Sequence, residues 1–191
     1  MEKIFYAKRS EYAKSDDAVK KILRERFNIE NAVIVRSESG KPYLSNAREL
    51  SLFFSVSHTD ETLFVAVSDQ NVGIDAEPLS RKVEYAPIVE KFDERERNEI
   101  RNKEDFLRHF TAKESAVKWL GGTLAHDLRA LRYTQGRMIY QEVELPAYLA
   151  FPTFNGYVVA VCADRDFSDA EFIAFEVFSY YNTIQRKTQE K

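Results

Sequence analysis

The sequence predicts an α+β fold built from two related halves, and three observations predict it. Strand-like runs rich in β-branched and aromatic residues share the chain with a few amphipathic helical patterns. The run Leu63-Phe64-Val65-Ala66-Val67-Ser68-Asp69 is echoed by Tyr157-Val158-Val159-Ala160-Val161-Cys162-Ala163-Asp164. Pro78, Ser80 and Pro87 break the pattern near residues 80–92 with no low-complexity linker. An N-terminal half over residues 1–90 and a C-terminal half over 91–191, closely packed, is therefore expected.

Taken in order, Lys3–Ala7 reads as a first strand. Ser15-Asp16-Asp17 opens a helix, with Ser15 as a cap and two acids against the positive helix end; Val19, Ile22, Leu23 and Phe27 continue it with helical spacing. Ala32–Val35, Leu52–Val56 and Thr62–Ser68 are strands, the last two joined by a turn at Asp60-Glu61. Val72–Glu77 follows the Asp69-Gln70-Asn71 turn. Asp93 with Glu96 forms a capping box for a helix reaching about Arg101. Phe106, Leu107, Phe110, Val117 and Leu120 outline a longer helix stopped by Gly121-Gly122. Met138–Leu145, Gly156–Ala163 and Glu171–Phe178 complete the strands, and the polar tail Gln185–Lys191 has nothing to bury.

Composition bounds the function. With 191 residues, 44% of them hydrophobic and 31% charged, the chain can bury a substantial core. A net charge of −3 argues against a nucleic-acid binder that relies on a basic surface. Cys162 is the only cysteine and lies in an apolar run, so it reads as a small buried hydrophobe. The residues after Met1 lack the apolar stretch of a signal peptide, and no run approaches membrane-spanning length; a cytoplasmic protein with no membrane partner is the expectation.

The chemistry concentrates in two segments. Asp75 and Glu77, two apart on a strand, project from one face while Ile74 and Ala76 point to a core. Paired carboxylates repel and call for a cation, and oxygen ligands favour Mg²⁺ held together with substrate phosphates. Gly73, with no Cβ, admits another backbone or a ligand at close range. On the long helix Phe110, Glu114 and Lys118 form one stripe, able to present a third carboxylate and an ammonium. Lys113, one position off that stripe, reads as a structural contact. Lys41 is displayed by the Gly40-Lys41-Pro42 turn, and Ser57-His58 ends an apolar strand where a phosphate hydrogen bond or a purely structural role would both suit His58. His109 and His126 lack metal-ligand spacing.

These motifs, in this order from residue 40 to 118, resemble those of the 4′-phosphopantetheinyl transferase superfamily: Gly40-Lys41-Pro42, Phe54-Ser55-Val56-Ser57-His58, Val72-Gly73-Ile74-Asp75-Ala76-Glu77 and Phe110-Thr111-Ala112-Lys113-Glu114-Ser115-Ala116-Val117-Lys118. The chain length is similar to that of the monomeric, two-half type. The resemblance implies that family's fold, two similar α/β halves related by pseudo-twofold symmetry, with the active site between them. It implies coenzyme A as co-substrate, Mg²⁺ or Mn²⁺ as metal, and an apo acyl, peptidyl or aryl carrier protein as partner. Asp75, Glu77 and Glu114 would be the metal-site carboxylates, Glu114 and Lys118 the catalytic pair, and Lys41, Ser57 and His58 the cofactor contacts. Lys14, Lys20 and Lys21 are further candidates for the nucleotide phosphates. Phe110 replaces the family's frequent Trp, and Ala76 is smaller than the usual residue between the acids. The competing expectations are a non-catalytic relative that binds coenzyme A or a carrier protein, and a Mg²⁺-dependent phosphohydrolase.

Overall fold

A computed structural model describes residues 2–123, 127 and 129–175. His126, the end of the strand expected over 171–178 and the polar tail lie outside the described residues.

The chain runs β1 (Lys3–Lys8), α1 (Ser15–Phe27), β2 (Ile34–Arg36), β3 (Pro42–Leu44), α2 (Ala47–Leu50), β4 (Phe53–His58), β5 (Thr62–Ser68) and β6 (Val72–Pro78). It continues through α3 (Ala86–Val89), α4 (Glu94–Glu99), α5 (Lys103–Leu120), β7 (Leu131–Thr134), β8 (Arg137–Tyr140), β9 (Val143–Glu144), β10 (Tyr148–Ala150), β11 (Tyr157–Ala163) and β12 (Glu171–Ala174). One sheet has the order β12-β1-β5-β4 and a second the order β10-β11-β6. The mixed α+β class is as expected. The expected division at residue 90 cuts across the pairing, because β6 precedes that point yet pairs antiparallel with β11, Asp75 opposite Ala160.

Side-chain alternation explains the layering. On β1 and β5, Phe5, Leu63, Val65 and Val67 pack against Val19, Ile22 and Leu23 of α1. The opposite faces, with Ile4, Phe64 and Ala66, meet Ile74 and Ala76 of β6 and Val159 and Val161 of β11. Cys162 points the other way, into a cluster with Ala112 and Ala116 of α5. Each sheet is thus covered by its partner sheet on one face and by a helix on the other. That is why β5 and β11 read as continuous apolar runs, the pattern of strands buried on both faces. Burial pushes the Cys162 thiol up to about 12, so the one cysteine is inert as expected.

Several local expectations are corrected. Ser15 is the first residue of α1 and caps nothing: Lys14 holds the cap position, and no side chain bonds there. The expected strand over 138–145 is broken after Tyr140 because Gln141 and Glu142 both adopt left-handed backbone, at φ 48° and 66°. The Asp93–Glu96 capping box forms in full, and α4 ends at Glu99. No helix among the described residues is long and apolar enough to cross a membrane.

Candidate active site

Gly73 determines where α5 meets β6. A Cβ on it would lie 2.1 Å from the Ser115 carbonyl oxygen and 2.5 Å from the Trp119 nitrogen. The close approach expected at this glycine is therefore the backbone of α5. Asn102 caps the start of α5 by accepting from the Asp105 N–H, and Gly121, at φ 73°, ends it. Because α5 sits directly on the Gly73 face of β6, its Glu114 and Lys118 come to the face that carries Asp75 and Glu77.

Asp75 is buried, at 6% exposure. Its Oδ1 accepts from Lys118 Nζ at 2.8 Å and from Ser57 Oγ at 2.9 Å, while Lys118 Nζ also donates to the Ile74 carbonyl at 2.9 Å. Asp75 Oδ2 is buried with no hydrogen-bond partner. A bare carboxylate oxygen in that position is costly unless a cation or donor joins it.

Ser57 has a different place from the one expected of a cofactor contact. It is buried at 4% exposure, and its Oγ accepts from the Ala76 N–H at 3.1 Å while donating to Asp75. Ser55 accepts from the Ile74 N–H in the same way, at 3.1 Å. Two hydroxyls of β4 thus satisfy the outward N–H groups of β6, stitching one sheet to the other where no backbone ladder exists. This role was missed, although a Ser-x-Ser pair in an otherwise apolar strand signals buried hydroxyls that need partners.

Burial, with the Asp75 charge adding to it, pushes the Glu114 carboxyl up to about 7, against the pull of Lys118. Burial also raises Glu77, opposed by Arg81, which forms an ion pair with it. The carboxylates therefore share one electrostatic environment. Yet among the described residues no three His, Cys, Asp or Glu side chains stand close enough to hold a metal ion by themselves. Asp75, with its orphaned oxygen, and Glu114, destabilised as an anion, fit an ion bound through one or two carboxylates with substrate oxygens completing the shell.

His58, at the exposed end of β4, lies on a groove. It lines a cavity of about 990 Å³ together with Arg9, Glu77, Arg81 and Lys82, and a smaller one of about 260 Å³ with Arg9, Lys14 and Arg36. Arg9 and Arg36, which carry no recognisable motif, are additional basic residues of this groove; Arg36 is paired with Asp16 at 2.9 Å. Lys14 lies on the wall of the smaller cavity. Lys21 is buried and 3.7 Å from Glu25 instead. Lys41 is not brought to this groove: it lines a separate cavity beside Trp119.

Lys113 has the structural role expected. Its Nζ, 1% exposed as a residue, donates to Glu96 Oε2 at 2.9 Å and lies 4.0 Å from the centre of the Phe92 ring. Glu96 also accepts from the Tyr133 N–H at 2.9 Å. Burial pushes the Glu96 carboxyl up. His109, Lys113 and Tyr133 more than reverse that and hold it below the usual range, although His109 Nδ1, at 3.9 Å, is an electrostatic neighbour and not a hydrogen-bond donor. This buried pair ties α4 to α5 and leaves Lys118 as the cation paired with Asp75.

A model of the 4′-phosphopantetheinyl transferase superfamily matches residues 71–162, which carry Asp75, Glu77, Glu114 and Lys118. The chain is 27% identical over 158 residues to the 4′-phosphopantetheinyl transferase gsp of Aneurinibacillus migulanus, covering 76% of this chain and 65% of that protein. It is 28% identical over 134 residues to the L-aminoadipate-semialdehyde dehydrogenase-phosphopantetheinyl transferase of Xenopus laevis, covering 60% of this chain and 44% of that protein. The aligned part thus spans less than two thirds of either relative. With its motifs in family order, the chain is similar to the 4′-phosphopantetheinyl transferase superfamily over the segment that carries these residues.

Proposed function

We propose that the protein is a Mg²⁺-dependent 4′-phosphopantetheinyl transferase that moves the phosphopantetheine arm of coenzyme A to a serine of an apo carrier protein. The observation that carries the proposal is the buried Asp75, paired on one oxygen with Lys118, bare on the other, and adjoining Glu114. In the transfer, the carrier serine Oγ bonds to the β-phosphorus of coenzyme A. The bond from that phosphorus to the bridging oxygen breaks, and adenosine 3′,5′-bisphosphate departs with the electron pair.

Asp75 and Glu114 would hold the metal, with Glu77, engaged by Arg81, beside them; the metal when bound supplies charge neutralisation on the pyrophosphate. Glu114, beside Asp75 and Lys118, would take the serine proton. Lys118 neutralises charge developing on the leaving phosphate, and Asp75 and the Ile74 carbonyl fix its ammonium beforehand. His58, Arg9 and Arg36 line the groove proposed for the nucleotide end. The pseudo-twofold arrangement belongs to the same proposal. Support for it is the matching order in which β1-β5-β4 and β6-β11-β10 are laid down, each with a helix after its first strand.

Incubation with coenzyme A, Mg²⁺ and a panel of apo acyl, peptidyl and aryl carrier proteins tests the proposal, with mass spectrometry reading the gain of one phosphopantetheine. Asp75→Asn and Glu114→Gln should abolish the gain in folded protein. Coenzyme A binding without transfer to any carrier would favour a non-catalytic relative. Nucleotide release without an acceptor would favour a phosphohydrolase.

A further inference from the structure

A second cavity, of about 580 Å³, opens where α2 and β3 face the end of α5. Its walls include Lys41, Tyr43, Leu44, Phe54, Asn71 and Trp119, none of which lines the groove beside His58. We infer that this cavity is a separate ligand site for a small apolar monocarboxylate, with the carboxylate on Lys41 and the alkyl or aryl body against Leu44, Phe54 and Trp119.

Lys41 carries the polar part of the inference. It is largely withdrawn from water, and its one side-chain partner is Asn71 Oδ1, at a long 3.4 Å. No carboxylate of the described residues forms an ion pair with it. Asp164, whose charge offsets part of the burial of Lys41, is outside ion-pair range of it and accepts from Trp119 Nε1 at 2.8 Å. Desolvation without a close counter-ion depresses the Lys41 amine to about 8. An incoming anion would relieve that cost, since an ammonium in such a place gains most from a charge-assisted hydrogen bond.

The rest of the lining selects the ligand's body. Leu44 and Phe54 are buried, Tyr43 and Trp119 border the opening, and the rim charges Arg48 and Glu49 oppose one another. An apolar wall of Leu44, Phe53, Phe54 and Trp119 beside the half-buried Lys41, with Ser45, Asn46, Arg48 and Glu49 on the exposed side, suits an amphipathic ligand. Arg48 also lines the cavity, but beside the opposite charge of Glu49, which leaves the Lys41 ammonium as the one cation without an adjacent acid in the lining and makes a monoanion a better match than a phosphate dianion.

Trp119 is the chain's only tryptophan, so its emission reports on this cavity directly. The full chain should be titrated with octanoate, 1-octanol and octylamine while that emission is followed. Octanoate should give a saturable change and bind about tenfold or more tightly than octanol, with octylamine weakest, the scale of one hydrogen bond to a charged group. Lys41→Met should erase the advantage of octanoate over octanol, and Ala47→Leu, which fills the cavity from α2, should weaken all binding. Saturating coenzyme A should leave octanoate affinity unchanged. No saturable change with octanoate, equal binding of the three probes, or unaltered octanoate affinity in Lys41→Met would overturn the inference. So would competition by coenzyme A, which would make the cavity part of the cofactor site. If Lys41→Met does not fold, the probe selectivity of the unaltered protein and the Ala47→Leu variant still decide the matter.

Discussion

Gly73→Ala is the sharpest test of how the site is assembled. The added methyl would stand 2.1 Å from the Ser115 carbonyl oxygen, where ordinary contact begins at 3.4 Å. Both obstructing atoms belong to helix backbone, so no side-chain rotation relieves the clash. The helix must move by more than an ångström from β6. Overpacking of this kind costs about 3 kcal/mol, and more if α5 cannot slide. For a chain of this size that is roughly a 10 °C fall in Tm. The same shift carries Glu114 and Lys118 away from Asp75, and a misplacement of about 1 Å costs on the order of 10²-fold in rate. Urea unfolding together with carrier-loading kinetics at a temperature where the variant stays folded would measure both. Native stability with native turnover would refute the claim that this glycine positions α5.

Three other perturbations address the surrounding network. Ser57→Ala should lower stability by about 1–3 kcal/mol, because the Ala76 N–H loses its acceptor; an unchanged unfolding midpoint with weakened coenzyme A binding would restore Ser57 as a cofactor contact. Lys113→Met should cost about 3–5 kcal/mol by leaving Glu96 buried without its ammonium. Since Glu96 is held below its unfolded pKa, its stabilising contribution is full above that value and is lost as pH falls through the folded one. The acid-unfolding limb should therefore move to higher pH in Lys113→Met, as circular dichroism would read. In metal-free protein, carbon-13 NMR should find a glutamate carboxyl titrating near 7 that disappears in Glu114→Gln. Because that folded pKa is raised, metal-free stability should decline as pH rises from the ordinary carboxylate range through 7, and Glu114→Gln should flatten the decline.

Much of this site was legible because each motif obeys a local rule. Asp75 and Glu77 share a face through strand alternation, and Phe110, Glu114 and Lys118 share a stripe through helical spacing. Gly73 announced a close approach by lacking a Cβ. The Asp93–Glu96 box was readable, but the inward use of Glu96 as the partner of Lys113 was not, since it depends on how α4 lands on α5. Ser57 and Lys41 show the same limit. Their neighbours in space are Asp75 and Ala76, and Asn71 and Trp119, contacts made by packing between sheets and helix end that no spacing along the chain encodes. Arg9 and Arg36 escaped notice for the converse reason: isolated basic residues look alike until the fold gathers them on one groove. The strand expected over Ala32–Val35 appears as β2, slightly later, but the short strands β3, β7 and β10 were missed because three or four residues carry too little periodicity to register.

The parallel pairing of β12 with β1 and the pairing of β6 with β11 bear on the order of events during synthesis. When β6 leaves the ribosome, its ladder partner has still to be translated, and β1 keeps an open edge until Glu171–Ala174 arrives. Such distant pairings are slow to form and leave strand edges exposed in the meantime. Asp75 therefore cannot acquire its final surroundings on a nascent chain that stops short of β11. The buried pairing of Asp75 with Lys118 and Ser57 should emerge late and all at once, rather than grow with chain length.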